Sequence, residues 1–495
     1  MIYIYLLILS LIFNLNYNLH AIHGKFHFLA AISIVFVQFL ILSINKNIFS
    51  IFFPFIIFLS SIASYFIKNF KIPITANSIG LVFETSIEEA SGFVGWNMVF
   101  YVIGSTLLSI IAVIIFRKIY KKDLKFKLCL TAILLIILPI FKKFHYTTQL
   151  LPHIIFEKSY KYALERYKFS KLSAKIRKEI KFKYLKSPSI QKEIVVLVIG
   201  EAARADHFHI NGYYRETSPE LEKIDNLISF KKFYSCDITT RKSIPCFMTR
   251  ATEKNRIPTK REKSVISIFK KAGFYTYWIS NQRKLGKYDS SVTLIAKEAD
   301  FVKFNNPIGD LKNIHIYDEN LLPILKKILN DKKHKKKFIV LHTIGSHWHY
   351  EKHYPEAFRK FKPICKNKIP AKCGMEKVVN SYDNTILYTD FVLSKIIKIL
   401  SNYNSILIYV SDHGEELGEN GIYGHGQKKN EYQTHIGAFL WISKNLLNYS
   451  EFKKYYQNAK SKENKLLSHE WVFYSLIGCS GIKTDIINNK LNLCE

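Results

Sequence analysis

In this chain of 495 residues, residue types that bind divalent metals recur where apolar runs end. Residues 194–199 lead into Gly200-Glu201, and residues 406–410 lead into Ser411-Asp412-His413-Gly414-Glu415. Residues 338–342 run on toward Gly345-Ser346-His347. Two carboxylates and an imidazole are the donor set of a catalytic zinc site, which keeps three protein ligands and one position for chemistry. Glu201 and Asp412 would supply anionic oxygen and His413 the nitrogen. A lone Asp at a strand end is more often structural. Three such residues at ends of apolar runs instead predict a metal site.

A nucleophile is also within view. The segment Ser235-Cys236-Asp237-Ile238-Thr239-Thr240-Arg241-Lys242-Ser243-Ile244-Pro245-Cys246 places several hydroxyls between two cysteines. A threonine hydroxyl is inert near neutral pH unless a base or a metal lowers its pKa. Zinc does this, and it also neutralises charge on a transferred phosphoryl oxygen. The same hydroxyls could instead cap a helix or close a turn. His347 and His425, the latter in Gly424-His425-Gly426, could hold a phosphate oxygen or protonate a leaving alkoxide. The chain has 17 histidines, so His349, His353 and His435 are assigned to structure or surface.

The elements that must position these residues follow from hydropathy. From residue 193 onward, apolar β-rich runs at 194–199, 274–279, 338–342, 406–410 and 438–442 alternate with charged, helix-compatible stretches. Continuous apolar strands separated by helices predict a mostly parallel central sheet covered on both faces. In such sheets ligands bind beyond the carboxyl ends of the strands, where the candidate residues lie. The first 141 residues are different: apolar runs crowd residues 2–13, 26–44, 49–67, 98–116 and 126–141. Crossing a bilayer takes about 20 apolar residues. About five transmembrane helices are therefore expected, with the first and last needing help from flanking residues. The start lacks the basic n-region of a cleaved signal peptide. The basic loop Arg117-Lys118-Ile119-Tyr120-Lys121-Lys122 is placed in the cytoplasm. Five crossings then leave the N-terminus inside and everything after residue 141 outside. Residues 142–190 alternate apolar with Lys and Arg side chains, as an amphipathic bridging segment on the bilayer surface would. Residues 191–495 form the catalytic domain.

Seven cysteines support that topology. Cys129 lies within the fifth apolar run. The other six pair by proximity, Cys236 with Cys246, Cys365 with Cys373 and Cys479 with Cys494, as suits an oxidising periplasm. The formal charge of +33 suits an anionic partner. Membrane segments favour anionic lipid or lipopolysaccharide over nucleic acid; biased Lys, Ile and Asn usage is the alternative origin.

Taken together these motifs resemble the bacterial phosphoethanolamine transferases that modify lipid A or lipopolysaccharide core. The resemblance rests on Gly200-Glu201-x-x-Arg204, on Gly212-Tyr213-x-Arg215-x-Thr217-x-Pro219 and on the Ser235–Cys246 segment. Gly345-Ser346-His347 and Ser411-Asp412-His413-Gly414-Glu415 running to His425 complete it. It covers nearly the whole chain and implies a helical membrane domain joined to a periplasmic α/β domain of alkaline-phosphatase/sulfatase-like type. By resemblance, Glu201, Asp412 and His413 bind one catalytic zinc, with a second ion possible. Thr240 falls at the nucleophile position, within reach of that metal, and His347 and His425 fall where the family contacts the phosphoryl group or a second metal. The Cys236–Cys246 bridge would brace the nucleophile loop. Glu89 matches a carboxylate that could pair with the donor's ethanolamine ammonium, although Leu81 stands where the family often has Asn. Trp278-Ile279-Ser280-Asn281-Gln282 looks closer to the branch acting on core sugars or other acceptors. The implied reaction moves phosphoethanolamine from phosphatidylethanolamine, through a covalent threonine intermediate, to lipid A, lipopolysaccharide core or another envelope acceptor. The alternative is a phosphoglycerol transferase or a sulfatase- or phosphatase-like hydrolase on the same scaffold.

Overall fold

The computed structural model describes residues 1–21, 25–70, 73–84, 94–121, 127, 131, 150–174, 177–283, 291–306, 317–426 and 429–495. Two compact units divide the chain, one of Met1–Phe83 with Ala90–Arg166 and one built on Tyr167–Glu495.

The first unit is helical: α1 (Ile2–Phe13), α2 (Lys25–Leu42), α3 (Lys46–Phe70), α4 (Ala76–Glu84), α5 (Trp96–Ile119) and the part of α6 (His153–Ala174) up to Arg166. Three helices among the described residues are long and apolar enough to cross a membrane: Ile2–Ala21, Lys46–Phe70 and Trp96–Ile119. The first apolar run is longer than its hydropathy indicates. A π-helical turn at Asn14–Asn18 and a 3₁₀ turn carry it to Ala21, giving 20 residues. The amides inside it are paired, as a low-dielectric setting demands. Asn18 Nδ2 donates to Asn14 Oδ1 at 2.8 Å and to the Leu151 carbonyl at 3.0 Å, and its Oδ1 accepts from Leu151 N at 2.8 Å. Nearly all of the fifth run, 126–141, lies outside the described residues; among those described, the first four expected runs appear as three spans and the 18-residue α2.

The second unit is a layered α/β domain. Its seven-stranded sheet comprises β1 (Glu193–Gly200), β2 (Leu227–Ser229), β3 (Tyr275–Arg283), β4 (Phe301–Asn306), β5 (Lys336–His342), β6 (Ser405–Ser411) and β7 (Ala438–Ile442). The order is β2-β7-β6-β1-β5-β3-β4. Strands β6, β1, β5, β3 and β4 pair in parallel. β7 runs antiparallel to both β6 and β2, so the sheet is mixed, with four parallel pairings and two antiparallel ones at the β2 edge. The run at 438–442 gave no warning of this, because an apolar strand buried on both faces has the same composition in either direction. Every residue of β1 is buried, and Val195, Leu197 and Ile199 join Val340, Ile408 and Leu440 in the main core. Cys236–Cys246, Cys365–Cys373 and Cys479–Cys494 are joined as disulfides.

One residue in β1 runs against its surroundings. Glu193 is fully buried, and neither carboxylate oxygen has a hydrogen-bond partner. Its cross-strand neighbour Lys336 instead donates to Ser187 Oγ and the Pro188 carbonyl, both at 2.7 Å. Burial pushes the Glu193 carboxyl well above its usual range, partly offset by Lys336 and reinforced by Glu451. A carboxyl whose folded pKa is raised contributes fully below its unfolded pKa, and that contribution is lost as pH rises toward the folded value. Glu193→Gln, which mimics the neutral acid, should therefore raise thermal stability more at alkaline than at acidic pH. The gap should grow by about 1.4 kcal/mol for each pH unit between the two pKa values. Parallel stability curves for the two proteins would contradict this.

Candidate active site

The central strands deliver the predicted residues to one edge. β1 ends at Gly200 and hands the chain to Glu201; its neighbour β6 ends at Ser411 and hands it to Asp412 and His413. Backbone bonds hold these exits together: Asp412 N donates to the Gly200 carbonyl at 3.0 Å, and Ser346 N donates to the Glu201 carbonyl at 2.9 Å. Gly345 has φ +53°, and a Cβ there would come within 2.8 Å of the Glu201 carbonyl oxygen, so only glycine fits this crossing. Ala202 also sits in the left-handed region, with φ +53°, and backbone strain of this kind gathers at functional sites. The Tyr382 hydroxyl secures it, donating to the Ala202 carbonyl at 2.6 Å.

Glu201, Asp412 and His413 are buried, with candidate ligand atoms within 4.8 Å of one another. His413 Nδ1 lies 2.9 Å from the Gly414 carbonyl, which turns Nε2 inward. That nitrogen lies 3.2 Å from Glu201 Oε1 and 3.4 Å from Asp412 Oδ2. Asp412 spends its other oxygen on the backbone, accepting from His413 N at 2.8 Å and Ala202 N at 3.1 Å. Glu201 Oε1 and Asp412 Oδ2 lack a well-formed hydrogen bond although both are buried. Burial, and then the Glu201 charge, push the Asp412 carboxyl up. Burial opposes ionisation of Glu201 too, but His413 holds its carboxyl below the usual range. Against its own burial, the His413 imidazole is held up, to about 10, by Asp412 and Glu201. Two buried carboxylates that each turn an oxygen toward one imidazole nitrogen form a cluster that a divalent cation fits.

Thr240 begins helix α7 (Thr240–Phe247). Its Oγ1 lies 3.2 Å from Glu201 Oε2 and 3.3 Å from His413 Nε2, and the hydroxyl also acts on the Asp412 carboxyl. Thr239 is turned elsewhere, its Oγ1 3.3 Å from Asp237 Oδ1. The Cys236–Cys246 bridge closes the segment from below. His425 packs on His413 with ring centres 4.1 Å apart, and His347 lies 5.9 Å beyond His425. Burial, and then His413, lower the His425 pKa. Glu89 and the Leu81 side chain lie outside what the structure describes.

Other contributors were not singled out from sequence. Gln282 Nε2 donates to Glu201 Oε2 at 2.7 Å and to the Thr343 carbonyl at 3.1 Å, orienting the carboxylate. A signal existed: β3 runs on past Ile279 to Arg283, so Gln282 is another residue at a strand's carboxyl end. Asp318 accepts from Ile344 N at 2.9 Å and Gly345 N at 2.8 Å, fixing the turn that carries His347. It opens a 3₁₀ turn, Asp318–Asn320, that leads into a helix, where no pattern marks it.

Comparison with known proteins identifies relatives over both units of the chain. The sulfatase family model matches residues 193–482, and the model described as phosphoethanolamine transferase EptA/EptB matches residues 31–151. Phosphoethanolamine transferase EptA of Helicobacter pylori is 30% identical over 386 residues, 75% of this chain and 71% of the relative. EptA of Escherichia coli K12 is 34% identical over 310 residues, 59% of this chain and 54% of the relative, so the chain spans about half the length of such relatives. The integral membrane lipooligosaccharide phosphoethanolamine transferase A of Neisseria meningitidis shares the fold, with TM-score 0.80 at 23% identity over 99% of this chain and 98% of that one. The C-terminal periplasmic domain of EptC from Escherichia coli, solved in complex with zinc, gives TM-score 0.57 at 25% identity over 64% of this chain and 90% of that domain. On the extent of the Helicobacter match and the two family models together, this chain belongs to the phosphoethanolamine transferase family.

Proposed function

We propose that the protein transfers phosphoethanolamine from phosphatidylethanolamine to an anionic cell-envelope acceptor, lipid A or lipopolysaccharide core, with Thr240 as nucleophile. The reaction takes place at the outer face of the inner membrane, with the catalytic domain in the periplasm. The observation that carries this reading is the Thr240 hydroxyl within 3.3 Å of both Glu201 and His413. Glu201, Asp412 and His413 would hold zinc, the ion bound by the related EptC domain. When bound, zinc supplies Lewis acidity that lowers the pKa of a nearby hydroxyl and neutralises charge on a phosphoryl oxygen.

The remaining chemistry belongs to side chains. Thr240 Oγ1, set against Glu201 Oε2 at 3.2 Å and His413 Nε2 at 3.3 Å, loses its proton to solvent and attacks phosphorus. The bond from phosphorus to the glycerol oxygen breaks, and diacylglycerol leaves with a proton from His347 or His425. Thr240 is the first residue of α7, so the positive end of that helix favours the anionic phosphoryl group. In the second half-reaction an acceptor oxygen displaces Thr240 from phosphorus, and the threonine recovers its proton. Gln282 keeps Glu201 Oε2 aimed at Thr240 by sharing that oxygen.

The test is intact-mass measurement of the full-length protein in detergent after incubation with phosphatidylethanolamine and zinc. One added phosphoethanolamine group, mapped to Thr240 and absent from a folded Thr240→Ala variant, is the expected result. An adduct that survives in Thr240→Ala would remove Thr240 from the role. An adduct formed from phosphatidylglycerol but not from phosphatidylethanolamine would replace the donor and favour a phosphoglycerol transferase.

A further inference from the structure

His469 lies outside the metal cluster, yet it joins the two chain segments whose separation sets the site. It is fully buried, just beyond a two-residue strand, Leu467–Ser468, that pairs in parallel with Phe233–Tyr234. Cys236 N lies 3.2 Å from His469 Nδ1, at the head of the loop that leads to Thr240. On the other side of the ring, His469 Nε2 lies 2.9 Å from the Ser411 carbonyl, one residue before Asp412. An amide can only donate and a carbonyl can only accept. The imidazole is therefore the neutral Nε2–H tautomer, accepting from Cys236 and donating to Ser411. Burial is the first cause that pulls its pKa down, to about 3, which keeps it neutral. The Phe247 ring, on the last residue of α7, meets it edge-on with centres 4.7 Å apart. One ring thus touches the entry to the nucleophile loop, the far end of the nucleophile helix and the strand end that carries Asp412 and His413.

We propose that His469 is a positioning residue that holds the Thr240 loop in register with the Asp412-His413 strand end by bridging Cys236 N–H to the Ser411 carbonyl. The proposal rests on Thr240 being the nucleophile. Misplacement of a reacting group by about 1 Å can cost about 10²-fold in rate. A side chain that sets the spacing acts on turnover while leaving the metal ligands and the substrate-binding groups in place. Asn can keep an acceptor near the Nδ1 position and Gln a donor near the Nε2 position. Each conservative variant therefore retains one of the two bonds.

The experiment compares His469→Ala, His469→Asn and His469→Gln in the full chain in detergent, each loaded with zinc, using an aryl phosphodiester as probe. Hydrogen exchange of peptides spanning residues 235–243 is followed on the same samples. For His469→Ala, kcat should fall by about 10–100-fold, with KM and zinc content within about twofold of wild type. Exchange across 235–243 should rise. His469→Asn and His469→Gln should recover intermediate kcat, and Asn should recover most of the Cys236 protection. The proposal is overturned if all three variants keep kcat within about twofold of wild type. It is equally overturned if kcat, KM and zinc content fail together with no recovery in either amide variant, which is the pattern of a merely structural residue. If His469→Ala does not fold, the two amide variants carry the same comparison. A wild-type protein inert toward the probe would count against the proposed function, while unchanged exchange across 235–243 would count against the role of His469.

Discussion

Asp412→Asn should abolish stoichiometric zinc binding and reduce phosphoryl transfer by at least about 10³-fold, the several kcal/mol of transition-state stabilisation that a bound metal supplies. The effect on stability should depend on the metal. A ligand present at about 100 times its Kd stabilises the folded state by about 2.7 kcal/mol, and wild type should lose this on treatment with chelator. In the metal-free protein Asp412 is a liability. Burial first, and then Glu201, disfavour its charged form, and Oδ2 has no well-formed hydrogen bond. An amide there removes one of two crowded carboxylates and keeps an oxygen for Ala202 N and His413 N. The chelated variant should therefore be at least as stable as chelated wild type, while the zinc-loaded wild type is more stable than either. Calorimetry with zinc titrated against chelator checks both signs. One zinc still bound per Asp412→Asn molecule, or a wild-type unfolding temperature indifferent to chelator, would remove Asp412 from the ligand set.

The clustering of Glu201, Asp412 and His413 was legible in sequence because its logic is local. Each of the three lies within three residues of the end of a continuous apolar run, and the carboxyl-end rule then needs no knowledge of how the strands are ordered. Thr240 was legible only with the family resemblance, since Ser235, Thr239 and Ser243 occupy the same bracket between cysteines. What escaped depends on long-range placement. His469 lies 233 residues from Cys236 and 58 from Ser411, and nothing near it marks a buried bridging imidazole. Gln282 escaped as a site residue because the apolar run ends at Ile279, whereas β3 continues to Arg283. β4, with Lys303 amid phenylalanines and two asparagines at its end, is an edge strand and lacks the full apolar run that identified β1, β5 and β6. In the membrane unit, Asn14, Asn16 and Asn18 ended the apolar run on paper, yet the helix continues because those amides bond back to the chain within it or to Leu151.

Arg204→Ala should be the most destabilising single change in the catalytic unit among those considered, and it should silence the site as well. The guanidinium is 3% exposed and makes a fork with Asp206, Nε to Oδ1 at 2.9 Å and Nη2 to Oδ2 at 2.6 Å. Nη1 donates to Glu419 Oε1 at 2.5 Å and to the Glu415 carbonyl at 3.1 Å, and the group lies 4.8 Å above the Tyr432 ring. Asp206 is 44% exposed and can be rehydrated, but removing the guanidinium strands the buried Glu419 carboxylate and Glu415 carbonyl, which costs about 3 kcal/mol. That is a large share of the roughly 5–15 kcal/mol that separates folded from unfolded domains. The functional consequence follows from connectivity. Arg204 lies three residues beyond Glu201, while Glu415 and Glu419 belong to the segment that leaves His413 and leads to His425. Without the guanidinium the two sides of the cluster lose a common anchor, so zinc affinity should fall with stability. Arg204→Lys tests the geometry rather than the charge. An ammonium can satisfy Glu419 or Asp206 but cannot fork to both and reach the Glu415 carbonyl, so it should recover only part of the loss. Denaturant midpoints and zinc affinity measured on wild type, Arg204→Lys and Arg204→Ala should rank in that order. A loss below about 1 kcal/mol in Arg204→Ala, the scale of a surface ion pair, would show that the cluster does not depend on this anchor.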